Sequence, residues 1–431
     1  MQTAMKTVLL SSTLLIATFA HAGGAEGLAR DVVADLSARA FDRVSKRFDP
    51  QMAAALSTEK LGSVWDGVVA DTGPFKSIKS VRLEPKEGYQ VAFIATQFEK
   101  SDLLITLTFD GQGRIAGLFF KPITAAQAWS PPSYAGAQEE REVTVGAKKL
   151  PGTLTLPTKS GAGPFPVVIF VHGSGPNDRD ESMGPNKLFK DLAFGLASKG
   201  VASLRYDKRT LKFPAEFAPT TQYTLREEVL DDVADAVALM SKTERIDPRR
   251  VFVLGHSLGG TLGPRIALDN PKLAGVAFFA GATRDIDVLV REQVKVTAPG
   301  KPEVAAAVEA FSKAYRDPKL SKSDTVDFLG AKLPGSYVLD LRAYEPAKVA
   351  ATLKLPVFVA QGGRDYQVTT ADFDAWKAAL KGKKGVTFKL YPALNHQFLE
   401  GSGPSTPAEY MTPGHVPLEV ITDLAAFVSG K

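Results

Sequence analysis

Residues 251–260 read VFVLGHSLGG, an apolar run that meets a glycine-rich turn around Ser257. The run VFVL is typical of a buried strand, and LGGTLGPRIALDN after the serine has helical spacing. Gly255 and Gly259 let the backbone pack closely around a tight turn that lifts the serine hydroxyl out of a sheet. The first turn of the following helix has free N–H groups that favour a developing anion. The stretch therefore predicts a nucleophilic serine between a strand and a helix.

Apolar runs alternate with helical patterns from residue 143 to the end of the chain. The runs are FPVVIFVHG, VASLRYD, VFVLG, LAGVAFFAG, LPVFVAQGG and VTFKLYP. Short apolar strands that alternate with helices predict an α/β fold with a mostly parallel sheet, covered by helices on both faces. Residues 284–346 interrupt the alternation, and the helical pattern KPEVAAAVEAFSKAY within them predicts a cap over the site. In the helix after Ser257, Pro264 should remove a hydrogen bond and bend the helix.

A serine nucleophile needs a base, and the chain has five histidines. His396 follows the last strand in YPALNHQF, at the carboxyl edge of the sheet, and is the predicted general base. The remaining histidines are weaker candidates for this role. His21 belongs to the N-terminal leader, and His172 ends a strand. His256 sits in the turn, where its side chain is expected to point away from the partner of the serine hydroxyl, and His415 is expected to be a structural or capping residue.

The acid that orients the base is expected one strand before the histidine. Asp365 ends LPVFVAQGGRD, 31 residues before His396, which keeps the order serine, acid, histidine. Asp285 and Asp287, just after LAGVAFFAG, are the alternatives, since an acid one strand earlier can also reach the base. The sequence favours Asp365 because a short glycine turn precedes it.

The stretch FVHGSGPNDRDE is expected to supply part of an oxyanion hole. Glycine on both sides of Ser174 lets a backbone N–H point inward, and the N–H of Leu258 would be the second donor. Which residue next to Gly173 donates stays open by one position. Four charged residues nearby are expected to hold adjacent loops together by ion pairing, namely Arg179, Asp180, Asp207 and Arg209.

Residues 26–124 read as a separate α+β unit. Leu28, Val32, Leu36, Ala40, Phe41 and Val44 share one helical face, and a second helix is expected over about 50–70, ending near Gly67. Four runs of strand character follow, with a hairpin turn at DGQG. Residues 125–142, rich in Pro, Ala and polar residues, predict an exposed linker to the domain at 143–431.

Residues 1–22 have the three parts of a secretory signal peptide. Lys6 precedes the apolar run VLLSSTLLIATF, and AHA ends at Ala22. The mature protein is therefore expected to be exported, into the periplasm or the medium. The absence of cysteine excludes a disulfide framework and thiolate chemistry.

The remaining composition excludes several partners. The net charge of +5 is spread along the chain, and no basic stripe for nucleic acid is present. No later segment is apolar enough for a membrane span. The sequence has no histidine pair with i, i+4 spacing and no cysteine, so it shows no pattern of metal ligands. No cofactor is expected.

Residues 143–431 resemble the α/β-hydrolase superfamily, in particular two-domain bacterial serine esterases. The resemblance rests on HGSGPNDRDE, GHSLGG, QGGRDYQV and NHQF in that order. It implies catalytic roles for Ser257, Asp365 and His396. Thr210 in RYDKRT departs from the pattern, because such enzymes usually carry glycine there. The unit at 26–124 resembles, by element order, the cystatin-like modules that precede some bacterial esterase domains.

These residues predict a serine hydrolase that cleaves carboxylic esters with short or medium acyl chains, through an acyl-enzyme intermediate. Its substrate would be a small-molecule ester. A serine peptidase of the aminopeptidase kind is one alternative, because amide and ester hydrolysis share this machinery. A non-enzymatic ligand-binding protein of the cell envelope is the other.

Overall fold

The computed structural model describes residues 22–86, 88–123, 129–218 and 221–430. The chain divides into two compact units, residues 1–127 and 128–431. The predicted signal peptide lies outside the described residues, apart from Ala22 at its end.

The first unit has four helices followed by four strands. They are α1 (Ala22–Ser37), α2 (Phe41–Ser45), α3 (Pro50–Ala55), α4 (Thr58–Thr72), β1 (Phe75–Lys86), β2 (Tyr89–Phe98), β3 (Asp102–Phe109) and β4 (Ile115–Ile123). The strands form an antiparallel sheet in the order β1-β2-β3-β4. Alternate residues of β3 are buried against the helices, as period-2 patterning requires. The α+β character predicted for this unit is confirmed.

The helices of the first unit break where the sequence predicts continuity. Arg39 has a φ of 58° between α1 and α2, which ends the first helix early. Ser57 caps α4 by accepting a hydrogen bond from the Lys60 N–H, so the single helix predicted over 50–70 is two helices. Gly67 lies inside α4, which ends at Gly73 with a φ of 76°. The buried face of α4, with Leu61 and Trp65, outweighs the helix-breaking tendency of glycine.

The second unit has a large sheet. Its strands are β5 (Gln138–Val145), β6 (Leu150–Pro157), β7 (Phe165–Val171), β8 (Ser182–Met183), β9 (Asn186–Lys187), β10 (Ala202–Tyr206), β11 (Ile246–His256), β12 (Gly275–Phe279), β13 (Thr325–Phe328), β14 (Ala331–Pro334), β15 (Val357–Gly362) and β16 (Val386–Tyr391). Eight of them pair in the order β16-β15-β12-β11-β7-β10-β6-β5. The six strands from β16 to β10 are parallel, and β6 and β5 are antiparallel at one edge.

The second unit also contains helices. They are α5 (Leu188–Ser198), α6 (Arg209–Lys212), α7 (Asp231–Met240), α8 (Leu258–Asp269), α9 (Ile286–Thr297), α10 (Pro302–Arg316), α11 (Gly335–Ala343), α12 (Pro346–Thr352), α13 (Thr370–Ala379) and α14 (Leu418–Ser429). Along β11, Val251 and Val253 pack on the side of α7, α8 and α13, whereas Phe252 and Leu254 pack on the side of α5 and α14. Both faces of the strand are buried, which explains its unbroken apolar run. The predicted α/β-hydrolase sheet is confirmed.

The predicted linker over 125–142 is wrong in its second half. Residues 138–142 begin β5, the edge strand, whose polar composition reflects its exposure to solvent on much of its surface. Before it, Trp129 donates a hydrogen bond from Nε1 to Asp191 (2.8 Å), and Tyr134 donates one to the Val416 carbonyl (2.9 Å). These two aromatic side chains attach the segment to the second unit, a pairing across long sequence distances that composition does not reveal.

The insertion between β12 and β15 consists of α9, α10, the β13–β14 hairpin and α11. It has a small core of its own, formed by Phe311, Tyr315, Val326 and Val338. Tyr344, just beyond α11, contacts the helix of the nucleophile. Its hydroxyl accepts a hydrogen bond from the Arg265 N–H (3.3 Å) and donates one to the Thr261 carbonyl (3.0 Å). Tyr344 therefore bridges the backbone of α8 beside Pro264, and α8 runs unbroken through the proline.

Replacing Trp129 with alanine tests whether this segment belongs to the folded unit. The change removes an aromatic contact with Phe194 and a donor to the buried Asp191, and we expect it to lower the free energy of unfolding by about 2–3 kcal/mol. Urea unfolding measures the loss. Ser130→Ala, at an exposed neighbour, is the control and should change stability by less than about 0.5 kcal/mol. Equal stability of both variants would contradict the assignment.

Candidate active site

Ser257 lies on a strained turn between β11 and α8. Its φ of 54° and ψ of −116° are a conformation that side chains rarely adopt. A methyl group at Gly259 would lie 2.3 Å from the Val171 carbonyl oxygen, and one at Gly255 would lie 2.0 Å from the Gly259 carbonyl oxygen. The turn thus forms where three backbone segments touch, and only glycine fits at these positions.

Asp365 and His396 form a hydrogen-bonded pair at the carboxyl edge of the sheet. His396 Nδ1 and Asp365 Oδ2 are 2.7 Å apart, and both residues are buried. Gln361 Nε2 also donates to Oδ2 (3.0 Å), while the N–H groups of Gln367 and Val368 donate to Oδ1 (2.8 and 3.0 Å). All four partners are suited to an ionised carboxylate, which only accepts hydrogen bonds. An Nδ1–H held in this way leaves Nε2 of His396 with its lone pair, the state that a general base needs.

The other acids and histidines that the sequence considered have different partners. Asp285 and Asp287 both pair with Arg316 of the insertion. His415 Nδ1 lies 3.1 Å from Asp191 Oδ2, in the cluster that also holds Trp129. The four charged residues expected to pair do so: Arg179 with Asp207, Asp180 with Lys187 and Arg205, and Arg209 with Asp232.

The loop after β7 lies against the nucleophile. A methyl group at Gly173 would be 3.1 Å from Ser257 Cβ and 3.6 Å from Ser257 Oγ. The Gly173 N–H donates to Glu181 Oε1 (2.7 Å), so it is occupied. Among the described residues, no protein atom accepts a hydrogen bond from the Ser174 N–H. The N–H of Leu258, the first residue of α8, has no acceptor within the helix.

Glu181 and His256 form a second buried carboxylate–histidine pair, which the sequence analysis missed. His256 Nδ1 is 3.1 Å from Glu181 Oε2, and Nε2 is 2.9 Å from the His396 carbonyl oxygen. The prediction that the His256 side chain points away is wrong, since its ring centroid lies 4.7 Å from that of His396. In the sequence, only the acidic residue that ends NDRDE, Glu181, could have indicated this pair.

In this second pair, each side chain stabilises the charged form of the other. Burial opposes a charge on His256, but the Glu181 carboxylate outweighs it and raises the pKa of His256. Burial likewise opposes the Glu181 carboxylate, yet the adjacent His256 and the Gly173 N–H hold the pKa of Glu181 below its usual value. Nδ1 of His256 lies within ion-pair distance of the Glu181 carboxylate, and Nε2 lies within hydrogen-bond distance of the His396 carbonyl oxygen, an arrangement that suits a protonated ring. The pair links the turn, the loop after β7 and the loop of His396.

A cavity of about 640 Å³ opens on Ser257 and His396. The insertion forms one side of it, through Leu289 and Val290 of α9 and Tyr337 and Leu341 of α11. Thr210, at the position where the resemblance leads one to expect glycine, lines the cavity and donates a hydrogen bond to the Gly175 carbonyl (3.1 Å). The volume is in the range of small-molecule sites.

Two further properties concern the described residues alone. They contain no group of three or more His, Cys, Asp or Glu side chains arranged to hold a metal ion. None of their helices has both the length and the apolar character that a bilayer span requires.

Comparison with known proteins places the chain in a family. Residues 164–402 match a family described as serine aminopeptidase, S33, and the chain is 37% identical over 425 residues to esterase EstD of Thermotoga maritima, covering 98% of this chain and 99% of that protein. The chain belongs to the α/β-hydrolase family. Because the likeness to an esterase extends over nearly its whole length, this α/β hydrolase is a carboxylic ester hydrolase.

Other likenesses are more distant. A putative carboxymethylenebutenolidase of Methylorubrum extorquens is 24% identical over 270 residues, covering 60% of this hydrolase and 72% of that protein. The solved structure of Est1E from Butyrivibrio proteoclasticus is 16% identical, with a TM-score of 0.44, and covers 67% of this hydrolase and 99% of that chain. Residues 29–118, in the first unit, match a family described as a protein of unknown function.

We expect the buried His172, next to this site, to make the stability of the hydrolase depend on pH. Burial lowers its pKa from 6.5 to about 4. The unfolded chain therefore binds this proton more readily, and stability falls as the pH drops through this interval. We expect the contribution of His172 to decrease by about 2 kcal/mol between pH 7 and pH 5.

Urea unfolding at pH 7 and pH 5 measures this decrease. The variant His172→Asn does not titrate at this position, so its stability should fall less than that of the wild type over the same interval. An identical pH dependence in the two proteins would contradict the assignment.

Proposed function

We propose that Ser257, His396 and Asp365 are the catalytic triad of this esterase. The observation that carries the proposal is the Asp365–His396 hydrogen bond beside a cavity that also exposes Ser257. The backbone strain at Ser257 supports it, because strained conformations concentrate where a side chain must be held for chemistry.

In the proposed reaction, Ser257 Oγ attacks the ester carbonyl carbon while Nε2 of His396 takes the hydroxyl proton. Asp365 holds the Nδ1–H and stabilises the imidazolium that forms. The tetrahedral intermediate collapses, His396 returns the proton to the leaving alcohol, and an acyl-enzyme remains. Water, activated by the same histidine, then releases the carboxylic acid and restores Ser257.

The proposed oxyanion hole consists of the N–H groups of Ser174 and Leu258. The occupied Gly173 N–H favours Ser174 as the donor from the loop after β7. Leu258 begins α8, whose N-terminal dipole also favours a negative charge.

Variants of the triad test this assignment. Ser257→Ala should lower kcat on p-nitrophenyl butyrate by ~10⁴-fold or more, and Asp365→Asn by roughly 10²–10⁴-fold, because the histidine loses its orientation. A fluorophosphonate probe should label wild type and leave Ser257→Ala unlabelled.

Two matched controls separate the triad from its neighbours. Ser174→Ala keeps the backbone N–H and should retain activity within a few-fold. Asp285→Asn changes the alternative acid, which pairs with Arg316, and should do the same. Loss of activity in Asp285→Asn with an active Asp365→Asn would contradict the triad.

We propose short- or medium-chain esters as substrates, because residues of the insertion bound the cavity. The turnover of p-nitrophenyl butyrate or octanoate should exceed that of palmitate by roughly tenfold, since a cavity of this size class accommodates a small ligand. Leu341→Trp, which fills part of the lining, should reduce octanoate turnover more than acetate turnover. A strong preference for palmitate would contradict the proposal.

The family description leaves a peptidase as the second candidate, since residues 164–402 match serine aminopeptidases. Comparing the turnover of aminoacyl-anilides with that of p-nitrophenyl esters decides between the two, and we expect the esters to be cleaved faster.

We also propose that the protein is exported, on the basis of residues 1–22. Sequencing the N-terminus of the mature protein from culture fractions tests this.

A further inference from the structure

The peptide group between Gly173 and Ser174, which carries the proposed oxyanion donor, is bound at its carbonyl end by a buried cation. Lys208 Nζ donates a hydrogen bond to the Gly173 carbonyl (2.8 Å). The same ammonium pairs with Glu228 Oε1 (2.6 Å), and both side chains are almost fully buried. A paired charge in this position is costly to desolvate, and the hydrolytic mechanism above does not use it.

The bond from Lys208, together with one from Asn177 Nδ2, fixes the plane of this peptide group and with it the direction of the Ser174 N–H. The peptide bond is trans, so its N–H is directed opposite to its carbonyl. Lys208 lies with His172 and Tyr206 around a small internal pocket, whereas Ser174 lines the cavity that holds Ser257. With the carbonyl held toward the interior, the N–H is turned toward the cavity side.

The preceding peptide group, between His172 and Gly173, is held by a carboxylate. The Gly173 N–H is bound to the Glu181 carboxylate and is not available to a substrate. Asn177 Nδ2 adds a second hydrogen bond to the Gly173 carbonyl (3.1 Å). Within this loop the Gly173 N–H is therefore occupied, whereas the Ser174 N–H has no protein acceptor among the described residues.

We infer that Lys208, held by Glu228, is a positioning residue that orients the Gly173–Ser174 peptide group and polarises it toward the developing oxyanion. A cation on an amide oxygen draws electron density from the nitrogen, which strengthens the N–H as a donor. Preorganised donors of this kind act mainly on the transition state, so Lys208 affects kcat more than KM. The inference rests on the proposed role of Ser174 in the oxyanion hole.

The test compares an ester with its thiono analogue, in which sulfur replaces the carbonyl oxygen. Oxyanion donors stabilise a developing oxygen anion better than a sulfur anion, so the ratio of the two kcat/KM values reports their strength. Lys208→Met alone would leave Glu228 buried without its partner, so both charges are removed together and the double variant K208M/E228Q is measured against the wild type. We expect the oxygen-to-sulfur ratio to fall about tenfold in the double variant, with KM for the ester little changed.

Lys187→Met is the matched control, because Lys187 forms an ion pair with Asp180 in the same region without contacting Gly173. It should keep the wild-type ratio. A double variant that folds and keeps the wild-type ratio would overturn the inference. Should the double variant fail to fold, Lys208→Gln decides: it retains a neutral donor, and a threefold or larger fall in the ratio supports the inference while an unchanged ratio overturns it.

Failure of the proposed function gives a different result. In that case the wild type itself would lack a preference for the oxygen ester, or Ser257→Ala would remain active. A preference in the wild type that is lost neither in K208M/E228Q nor in Lys208→Gln would leave the triad intact and exclude Lys208 alone.

Discussion

The close approach of backbone segments around Ser257 is the constraint on which the rest of the site depends. The turn touches the end of β7 through Gly259 and the end of β12 through Gly260, where a methyl group would lie 2.3 Å and 2.9 Å from carbonyl oxygens. Because no side chain separates these segments, the serine hydroxyl and the loop after β7 are brought together. The left-handed φ of Ser257 is maintained by packing on every side rather than by local preference.

Two carboxylate–histidine pairs lie side by side behind this turn, and their surroundings give them different roles. Asp365 accepts four hydrogen bonds, one of them from the ring of His396, the proposed general base. In the Glu181–His256 pair one imidazole nitrogen lies near the Glu181 carboxylate and the other near the His396 carbonyl oxygen. This pair connects three segments that line the cavity.

The insertion is attached to the machinery through the nucleophile helix itself. Proline in a helix removes one hydrogen bond, and the Tyr344 hydroxyl enters the ladder next to Pro264 by binding the Arg265 N–H and the Thr261 carbonyl. Tyr344 also lines the cavity. One side chain thus contacts both the substrate space and the helix whose first N–H is the proposed oxyanion donor.

Periodicity and glycine spacing are local properties, so the amino-acid pattern was enough to predict the alternation of strands and helices, the turn at Ser257, and the order of Asp365 and His396. The sequence analysis interpreted residues 138–142 as linker, because an exposed edge strand has a polar composition. It also predicted one helix for α3 and α4, because the cap at Ser57 that separates them does not interrupt the helical pattern. The partners of Glu181, His256 and Lys208 became known from the folded chain alone. Their contacts join residues from separate strand ends, and such buried ion pairs depend on three-dimensional proximity that no local pattern encodes.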